Sequence, residues 1–317
     1  MIPKRPLGGT GLAISPLVFG GNVFGWTIDK QTSFDILDRF TGAGFETVDT
    51  ADVYSTWKPG NVGGESETIL GEWMHARGCR DRITLITKVG MPMTPDGKGL
   101  SAAWIERAVE DSLRRLQTDR IDVYLSHKYD PDASNEETLG AYQKLIAAGK
   151  VRAIGASNFD AGQLRAALDA AGAKGLPRYE VLQPEYNLYD RKSYDGALRD
   201  LAMAEGLGVI TYFSLAKGFL SGKYRSEADL RQSPRGGGVK GYLNERGFRI
   251  LRALDDVAAR HGAKPAEVAL AWLMARPGVT APIASATSLN QLGSLLRAAS
   301  LTLAAEDMAA LEDASRN

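Results

Sequence analysis

Short runs rich in Val, Ile, Leu and Thr recur along the chain, and between them apolar residues return every three or four positions. The first pattern suits buried strands and the second amphipathic helices. Eight strands are predicted, at 17–20, 46–49, 83–89, 122–127, 153–157, 181–185, 208–213 and 280–284. Ile105, Val109, Leu113 and Leu116 share one face of a helix before the fourth strand, and a shorter helix around Ala166 and Leu168 follows the fifth. Val268, Leu270, Ala271, Trp272 and Met274 are apolar nearly all round, as a helix buried before the eighth strand would be. Alternation to the end with no break in composition predicts an α/β fold, a single (β/α)8 TIM barrel domain over residues 1–317. A doubly wound sheet usually carries a glycine-rich fingerprint after its first strand, and Gly20-Gly21-Asn22 lacks that pattern.

Two segments fall outside the alternation. Leu7-Gly8-Gly9-Thr10-Gly11-Leu12 precedes the first barrel strand, and its glycines suit the turn of an N-terminal β-hairpin. After strand 7, residues 214–243 form a long loop rich in Lys, Gly, Arg, Ser and Pro, with Gly236-Gly237-Gly238 near its centre. Connections beyond about 15 residues without structure of their own are usually lids, binding loops or disorder. Barrels place their chemistry at this end of the strands, so a lid is expected.

The 317 residues suffice for one large barrel with its own core. Its 38 Lys and Arg balance 38 Asp and Glu, so neither a nucleic-acid surface nor a polybasic membrane anchor is expected. No apolar run approaches the roughly 18 residues of a membrane span. Met1-Ile2-Pro3-Lys4-Arg5-Pro6 leads into no apolar signal segment. Cys79 is the one cysteine, which leaves no disulfide framework and fits a reducing compartment, so a cytoplasmic protein is expected. The three histidines are scattered without metal-binding spacing, and no metal site is expected. His75 and His261 fall near helix ends, where a cation is favourable.

Four residues stand at predicted strand ends or just past one. Asp49 closes Phe45-Glu46-Thr47-Val48, Lys88 follows Ile83-Thr84-Leu85-Ile86-Thr87, and His127 follows Val123-Tyr124-Leu125-Ser126. Tyr54 lies in the loop after Asp49. A barrel of parallel strands brings such ends together. An ammonium beside a phenol stabilises phenolate and lowers a pKa that is ordinarily about 10, and a carboxylate fixes the ammonium. Singly, each residue is commoner in a structural or surface role. Together at ordered strand ends they mark an acid–base site.

The stretches Val48-Asp49-Thr50-Ala51-Asp52-Val53-Tyr54, Ile86-Thr87-Lys88, Tyr124-Leu125-Ser126-His127, Gly155-Ala156-Ser157-Asn158-Phe159 and Leu182-Gln183-Pro184-Glu185-Tyr186-Asn187 resemble, in order and spacing, those of the aldo-keto reductases. The resemblance runs from about Pro6 to the end. It implies an oxidoreductase that moves a hydride between a nicotinamide cofactor and a carbonyl or alcohol substrate, such as an aldehyde, a ketone or a sugar-like carbonyl. Tyr54 is then general acid in reduction and base in oxidation. Lys88 and Asp49 tune and position it, and His127 binds the substrate oxygen or helps relay the proton. The hairpin closes the barrel bottom, and residues 214–243 clamp the cofactor.

By the same resemblance, Gly20, Gly21, Asn22 and Asp49 meet the cofactor at the first strand ends. Ser157, Asn158 and Gln183 bind the carboxamide, Tyr212 stacks on the ring, and Phe213, Ser214, Leu215, Lys217 and Gly218 follow the diphosphate. Relatives commonly read Tyr-Ser-Pro-Leu where this chain has Tyr212-Phe213-Ser214-Leu215. Those positions mostly offer backbone groups, so the change is expected to be tolerated. Ser285, Thr287, Ser288 and Gln291 fill a segment in which many relatives grip the adenosine 2′-phosphate with Arg or Lys. Leu295 stands where an Asn contacts adenine, and no cation follows until Arg297. A charge-assisted hydrogen bond is worth roughly 1.5–3 kcal/mol. Hydroxyls, the helix start at Ser288, or the lid residues Arg225, Arg231 and Arg235 are the candidate replacements. NADP(H) is the expected cofactor, with NAD(H) as the alternative.

Phe24, Trp26 and Trp57 follow the first two strands and would wall a pocket for an apolar or planar body, or else pack loops on the barrel. Trp26, Tyr54, Trp57 and His127 are the candidate substrate contacts, and Lys128, Tyr129 and Asp130 could add polar ones. Glu65 and Ser66 read as a helix start. Two alternatives stand beside the reductase. One is an NAD-dependent sugar or pyridoxal-type alcohol dehydrogenase on the same site. The other is a cofactor-binding regulatory subunit of a channel-like partner, a role that relatives of this family fill.

Overall fold

The eight apolar runs become eight parallel strands in a computed structural model, which describes residues 2–93, 97–233 and 236–316. A hairpin of β1 (Arg5–Pro6) and β2 (Ala13–Ile14) comes first. The barrel strands are β3 (Val18–Gly20), β4 (Thr47–Asp49), β5 (Thr84–Val89), β6 (Ile121–Ser126), β7 (Val151–Ser157), β8 (Val181–Gln183), β9 (Gly208–Thr211) and β10 (Ala281–Ala284). They pair in chain order, and β10 closes the ring between β9 and β3. Around them run α1 (Lys30–Gly42), α2 (Glu65–Arg77), α3 (Ala102–Leu116), α4 (Asn135–Ala147), α5 (Ala161–Lys174), α6 (Ala197–Ala204), α7 (Glu245–His261), α8 (Pro265–Ala275), α9 (Leu289–Ala298) and α10 (Ala305–Ser315).

Three strands end earlier than the apolar pattern suggests, at Ser126, Gln183 and Thr211. Beyond those points the chain leaves the ladder at the barrel mouth, and Glu185 and Tyr212 keep only an isolated bridge. On α3, Ser101 caps the first turn, and Ile105, Val109, Leu113 and Leu116 are all buried as their spacing predicts. The helix after the fifth barrel strand is fuller than expected. It spans 14 residues and buries Leu164, Ala167, Leu168 and Ala171, while Ala166 faces solvent. The eight residues from Glu267 to Met274 on α8 are all buried, which accounts for their apolar character.

Side chains alternate across each strand, and that alternation separates two cores. Outward residues pack under the helices. Inward residues Val18, Ile86, Val123, Leu125, Val181, Ile210, Ala281 and Ile283 form a separate cluster with Leu7 and Ile14 of the hairpin. Arg5 Nη1 binds the carbonyls of Met274 (2.8 Å) and Thr280 (3.1 Å), so the hairpin is fixed under the barrel as its floor. Gly155 is required by close packing: a Cβ there would lie 2.5 Å from both Val181 O and Leu125 Cδ2.

The long segment after β9 is not structureless. It folds into 3-10 turns at Ala216–Ser221, Glu227–Gln232 and Gly236–Tyr242. An aromatic anchor holds its end: Tyr189 and Phe219 ring centroids lie 4.8 and 5.4 Å from that of Tyr242. Tyr242 also donates to Asp190 Oδ2 at 2.8 Å. Among the described residues, no helix is long and apolar enough to cross a membrane.

Candidate active site at the barrel mouth

The inward rank climbs each strand two residues at a time, and its upper members are polar. Ile86 gives way to Lys88, Leu125 to His127, Val181 to Gln183 and Ile283 to Ser285. The same alternation that fills the lower barrel with apolar side chains therefore delivers functional groups at the strand ends.

Asp49, Tyr54 and Lys88 are in mutual contact. Lys88 Nζ donates to Asp49 Oδ2 (2.7 Å), Thr50 O (2.7 Å) and Tyr54 Oη (2.8 Å). The Tyr54 hydroxyl donates to Asp49 Oδ2 at 3.1 Å, and Gln183 Nε2 donates to Asp49 Oδ1 at 2.8 Å. Lys88 and Asp49 are 0% and 1% exposed, so the ion pair is fully withdrawn from water. The His127 ring meets Tyr54 edge-on at 6.1 Å between centroids.

The Tyr54 proton is held more firmly than the sequence suggests. Burial first, and the Asp49 carboxylate second, push the phenol well above its ordinary value. The expected lowering by Lys88 is outweighed by this burial and by the Asp49 carboxylate, to which the phenol donates. Burial lowers the Lys88 pKa, and Asp49 works against that shift. Burial, followed by the Lys88 charge, takes the His127 pKa well below its ordinary value. The imidazole is therefore neutral at pH 7, with Nδ1 buried and without a partner among the described residues.

Behind β5, between the barrel and helices α2 and α3, lies a second charged layer with no role in the sequence reading. Glu67, fully buried, accepts from Thr87 Oγ1 at 2.6 Å and pairs with Arg115 at 2.7 Å. Asp52 accepts from its neighbour Val53 N at 2.7 Å, while its Oδ2 has no partner among the described residues. Burial, then the Glu67 charge, pushes its pKa up to about 8. Asp52 stands inside a motif quoted above, but only the folded layer reveals its isolation.

A cleft of about 920 Å³ opens over the triad and runs under the lid to α9. Gly20, Asn22, Asp49, Asn158, Gln183, Tyr212, Phe213, Ser214, Leu215, Lys217, Gly218, Ser285, Thr287 and Gln291 lie on its wall. Gly21, Ser157 and Ser288 do not. Gly21 sits in a buried turn where a Cβ would be 3.0 Å from Ser66 Oγ, Ser157 Oγ donates to Gln183 O at 2.8 Å, and Ser288 caps α9. Asn158 is already engaged, accepting from Tyr212 Oη at 2.6 Å and donating to His127 O at 2.8 Å. Phe213 offers more than backbone. Its φ is +49°, it is 40% exposed, and Lys217 Nζ lies 5.2 Å over its ring.

At the substrate end, Tyr54, Trp57, Met91, Thr27, His127 and Lys128 form the wall. Trp57 is 46% exposed and stacks edge-on against Trp26, which is not on the wall itself. Phe24 is completely buried against Phe19 and belongs to the core. Tyr129 packs on Phe159, and Asp130 accepts from Leu100 N. Glu65 opens α2, as read from the sequence.

Neither Arg225 nor Arg231 lines the cleft. Arg225 is bound bidentate by Asp255 at 2.8 Å, Arg231 is exposed and off the wall, and Arg235 lies outside the described residues. Arg297 is taken by Glu267 at 2.6 Å. Besides Lys128 at the substrate end, the cleft is lined by Lys217, Lys223 and Lys264, the last two absent from the sequence reading. Lys223 follows the glycine at the end of a 3-10 turn, and Lys264 precedes the proline that opens α8. Nothing in a linear pattern marks either as facing the cleft.

A closed eight-stranded parallel barrel with this polar mouth is an enzyme fold whose strand ends converge on one cleft. The sequence model of the Aldo/keto reductase family matches residues 16–316, and the chain belongs to that family. It is similar to an uncharacterised oxidoreductase, YrpG, of Bacillus subtilis, at 35% identity over 97% of this chain and 94% of that one. It is 30% identical to an aryl-alcohol dehydrogenase [NADP(+)] of Phanerodontia chrysosporium, over 96% of this chain and 83% of the relative. A norsolorinic acid reductase of Emericella nidulans is also 30% identical, over 96% and 79%. The protein is an oxidoreductase dependent on NAD(P)(H), and carbonyl reduction is the activity its family supports.

Proposed function

We propose that the protein reduces aldehydes or ketones with a planar, apolar body, using NADPH, with Tyr54 as the proton donor. The carrying observation is the contact of the Tyr54 hydroxyl, the Lys88 ammonium and the Asp49 carboxylate at the base of one cleft, all within 3.1 Å. The wall fits a dinucleotide in its donors. Asn158 and Gln183 suit a carboxamide, the Tyr212 ring suits a flat heterocycle, and Lys217 and Lys223 flank the phosphate path. When bound, the nicotinamide supplies the hydride.

The residues of the chain do the rest. Neutral His127 offers an N–H to the carbonyl oxygen and fixes it beside Tyr54. The phenol then releases its proton to that oxygen. Lys88, 2.8 Å away, faces the negative charge left on Tyr54 Oη, and Asp49 keeps the ammonium in place. A phenol held protonated by its surroundings suits an acid that must be loaded before each turnover. Trp57 and Met91 wall the open side of the cleft. The aromatic wall supports an aryl carbonyl as substrate, as do relatives named for an aryl alcohol and for norsolorinic acid.

Tyr54→Phe tests the reading. NADPH oxidation with a substituted benzaldehyde should fall by about 10²–10⁴-fold, while NADPH titrated against tryptophan fluorescence keeps its affinity. Reduction at the parent rate would remove Tyr54 from the chemistry.

A further inference from the structure

Positive charge on the cleft wall is divided between its two ends. Among the described residues lining it, Asp49 is the one carboxylate, and Lys88, Tyr54 and Gln183 already occupy it. Lys217 and Lys223 are carried by the lid. Lys264 lies with them, because a Cβ built on the lid residue Gly222 would be 3.4 Å from Cγ of the next residue, Pro265. All three therefore belong to the lid end. Lys128 is the remaining lysine of the wall, and it stands at the substrate end beside His127.

The segment that carries Lys128 is fixed before and after it. His127 N donates to Val89 O at 2.8 Å, and His127 O accepts from Asn158 Nδ2 at 2.8 Å. The Tyr129 ring packs edge-on against Phe159, with 5.4 Å between centroids. The nearest acid along the chain, Asp130, is turned to the backbone: Oδ2 accepts from Leu100 N at 2.7 Å and Oδ1 from Asp132 N at 3.0 Å. Lys128 makes no ion pair among the described residues, and it is exposed at the rim of the cleft. An exposed lysine is ordinarily a solvated cation. This one overlooks the reacting group. The Tyr54 ring centroid lies 5.9 Å from that of Trp57 and 6.1 Å from that of His127, the neighbour of Lys128. A planar body resting on Trp57 with its carbonyl at Tyr54 Oη, at the base, would point its far end towards the rim.

We infer that Lys128 selects aryl carbonyl substrates that carry a carboxylate at the end remote from the carbonyl. The inference rests on the carbonyl-reductase reading above and adds to it the charge of the substrate. No unpaired acid on the described wall competes for the ammonium or repels an incoming anion. The long stem of a lysine lets its charged head meet such a group while staying partly hydrated. A charge-assisted contact of that kind is worth a factor of several in affinity, not of hundreds.

The test uses para-formylbenzoate and its methyl ester, which share the ring and the aldehyde and differ in charge. kcat/KM for each is measured with saturating NADPH in the parent, Lys128→Ala, Lys128→Glu and Lys128→Arg proteins. The acid-to-ester ratio within one protein is independent of how much of it is folded, and comparing that ratio between proteins cancels the intrinsic reactivity of the two aldehydes. The ratio should fall about 5-fold in Lys128→Ala and further in Lys128→Glu, and Lys128→Arg should restore it. The change should lie in KM, as expected for a contact made equally in ground and transition states. Raising the ionic strength from about 0.02 to about 0.5 M should erode the parent's ratio by screening the pair. An unchanged ratio in both Lys128→Ala and Lys128→Glu would overturn the assignment while leaving carbonyl reduction intact. Reduction of neither aldehyde by the parent would instead remove the aryl carbonyl reading, and the role of Lys128 with it.

Discussion

The two halves of the cleft are built on opposite principles. At the substrate end, Asp49, Lys88 and Gln183 stand on barrel strands, are buried, and are bonded to one another before any ligand arrives. At the lid end, Lys217 and Lys223 are carried by turns outside the sheet, and Lys264 by a helix start. The first half is preorganised, so the charge developing in the reaction meets dipoles already aimed at it. The second half holds spare positive charge that a polyanion can gather. In the function proposed above, the chemistry would fall to the buried strand ends and the affinity for cofactor to the lid end.

The largest effect should come from breaking the rigid half. Lys88→Met leaves Asp49 buried without its cation and should cost about 3–5 kcal/mol of stability in denaturant unfolding, along with nearly all activity. A loss below about 1 kcal/mol would mean that water reaches Asp49. The acid–base profile comes next. In the function proposed above, the neutral His127 would be lost only as pH falls through a value well below 6.5, and the Tyr54 proton only as pH rises through one well above 10. The rate of reduction by bound NADPH should therefore be flat from about pH 7 to pH 9. An ionisation near 6.5 in that rate would show that His127 is not insulated.

The buried Asp52 should give a smaller effect, opposite in sign to Lys88→Met. Its folded pKa of about 8 exceeds the ordinary 3.8, so between those values the folded state binds more protons and loses stability as pH rises. Asp52→Asn should remove that slope. The gain in melting temperature should grow up to pH 8 and then level off, on the order of 2–4 °C for each roughly 1 kcal/mol recovered. A gain that did not change with pH would show Asp52 to be ionised throughout. Least affected should be the lid anchor. Tyr242→Phe gives up one hydrogen bond to Asp190 and should cost about 1 kcal/mol locally, seen as faster proteolysis within 214–243 with the barrel's melting point unchanged.

The same division governs what could be read from the chain. Barrel strands announce themselves because inward and outward residues are both apolar, and a polar residue at the upper end of such a run points to the mouth when it falls on the inward side, as Lys88 does and Thr87 and Ser126 do not. That is why Asp49, Lys88, His127 and Gln183 were legible, together with all eight strands. The lysines were not, because turns of a lid carry no period that assigns a side chain to a face. Lid arginines looked like the natural phosphate ligands until Arg225 proved to be bound to Asp255. Phe24 and Trp57 show the same limit at the other end. Both follow a strand and both are aromatic, yet only packing decides that one is core and the other wall. The pKa of Tyr54 was legible in partner but not in sign, since the outcome depends on burial and on which atom of Asp49 its hydroxyl meets.

The hairpin floor has a practical corollary. Arg5 pins it to the carbonyls of Met274 and Thr280, and Ile2 lies near Gly44, ahead of β4 and away from the strand ends that form the cleft. A tether attached at the amino-terminal end would leave from the base of the molecule. On a sensor surface or resin, a protein held that way would present its mouth and lid outward, so cofactor titrations on the immobilised protein should match those in solution.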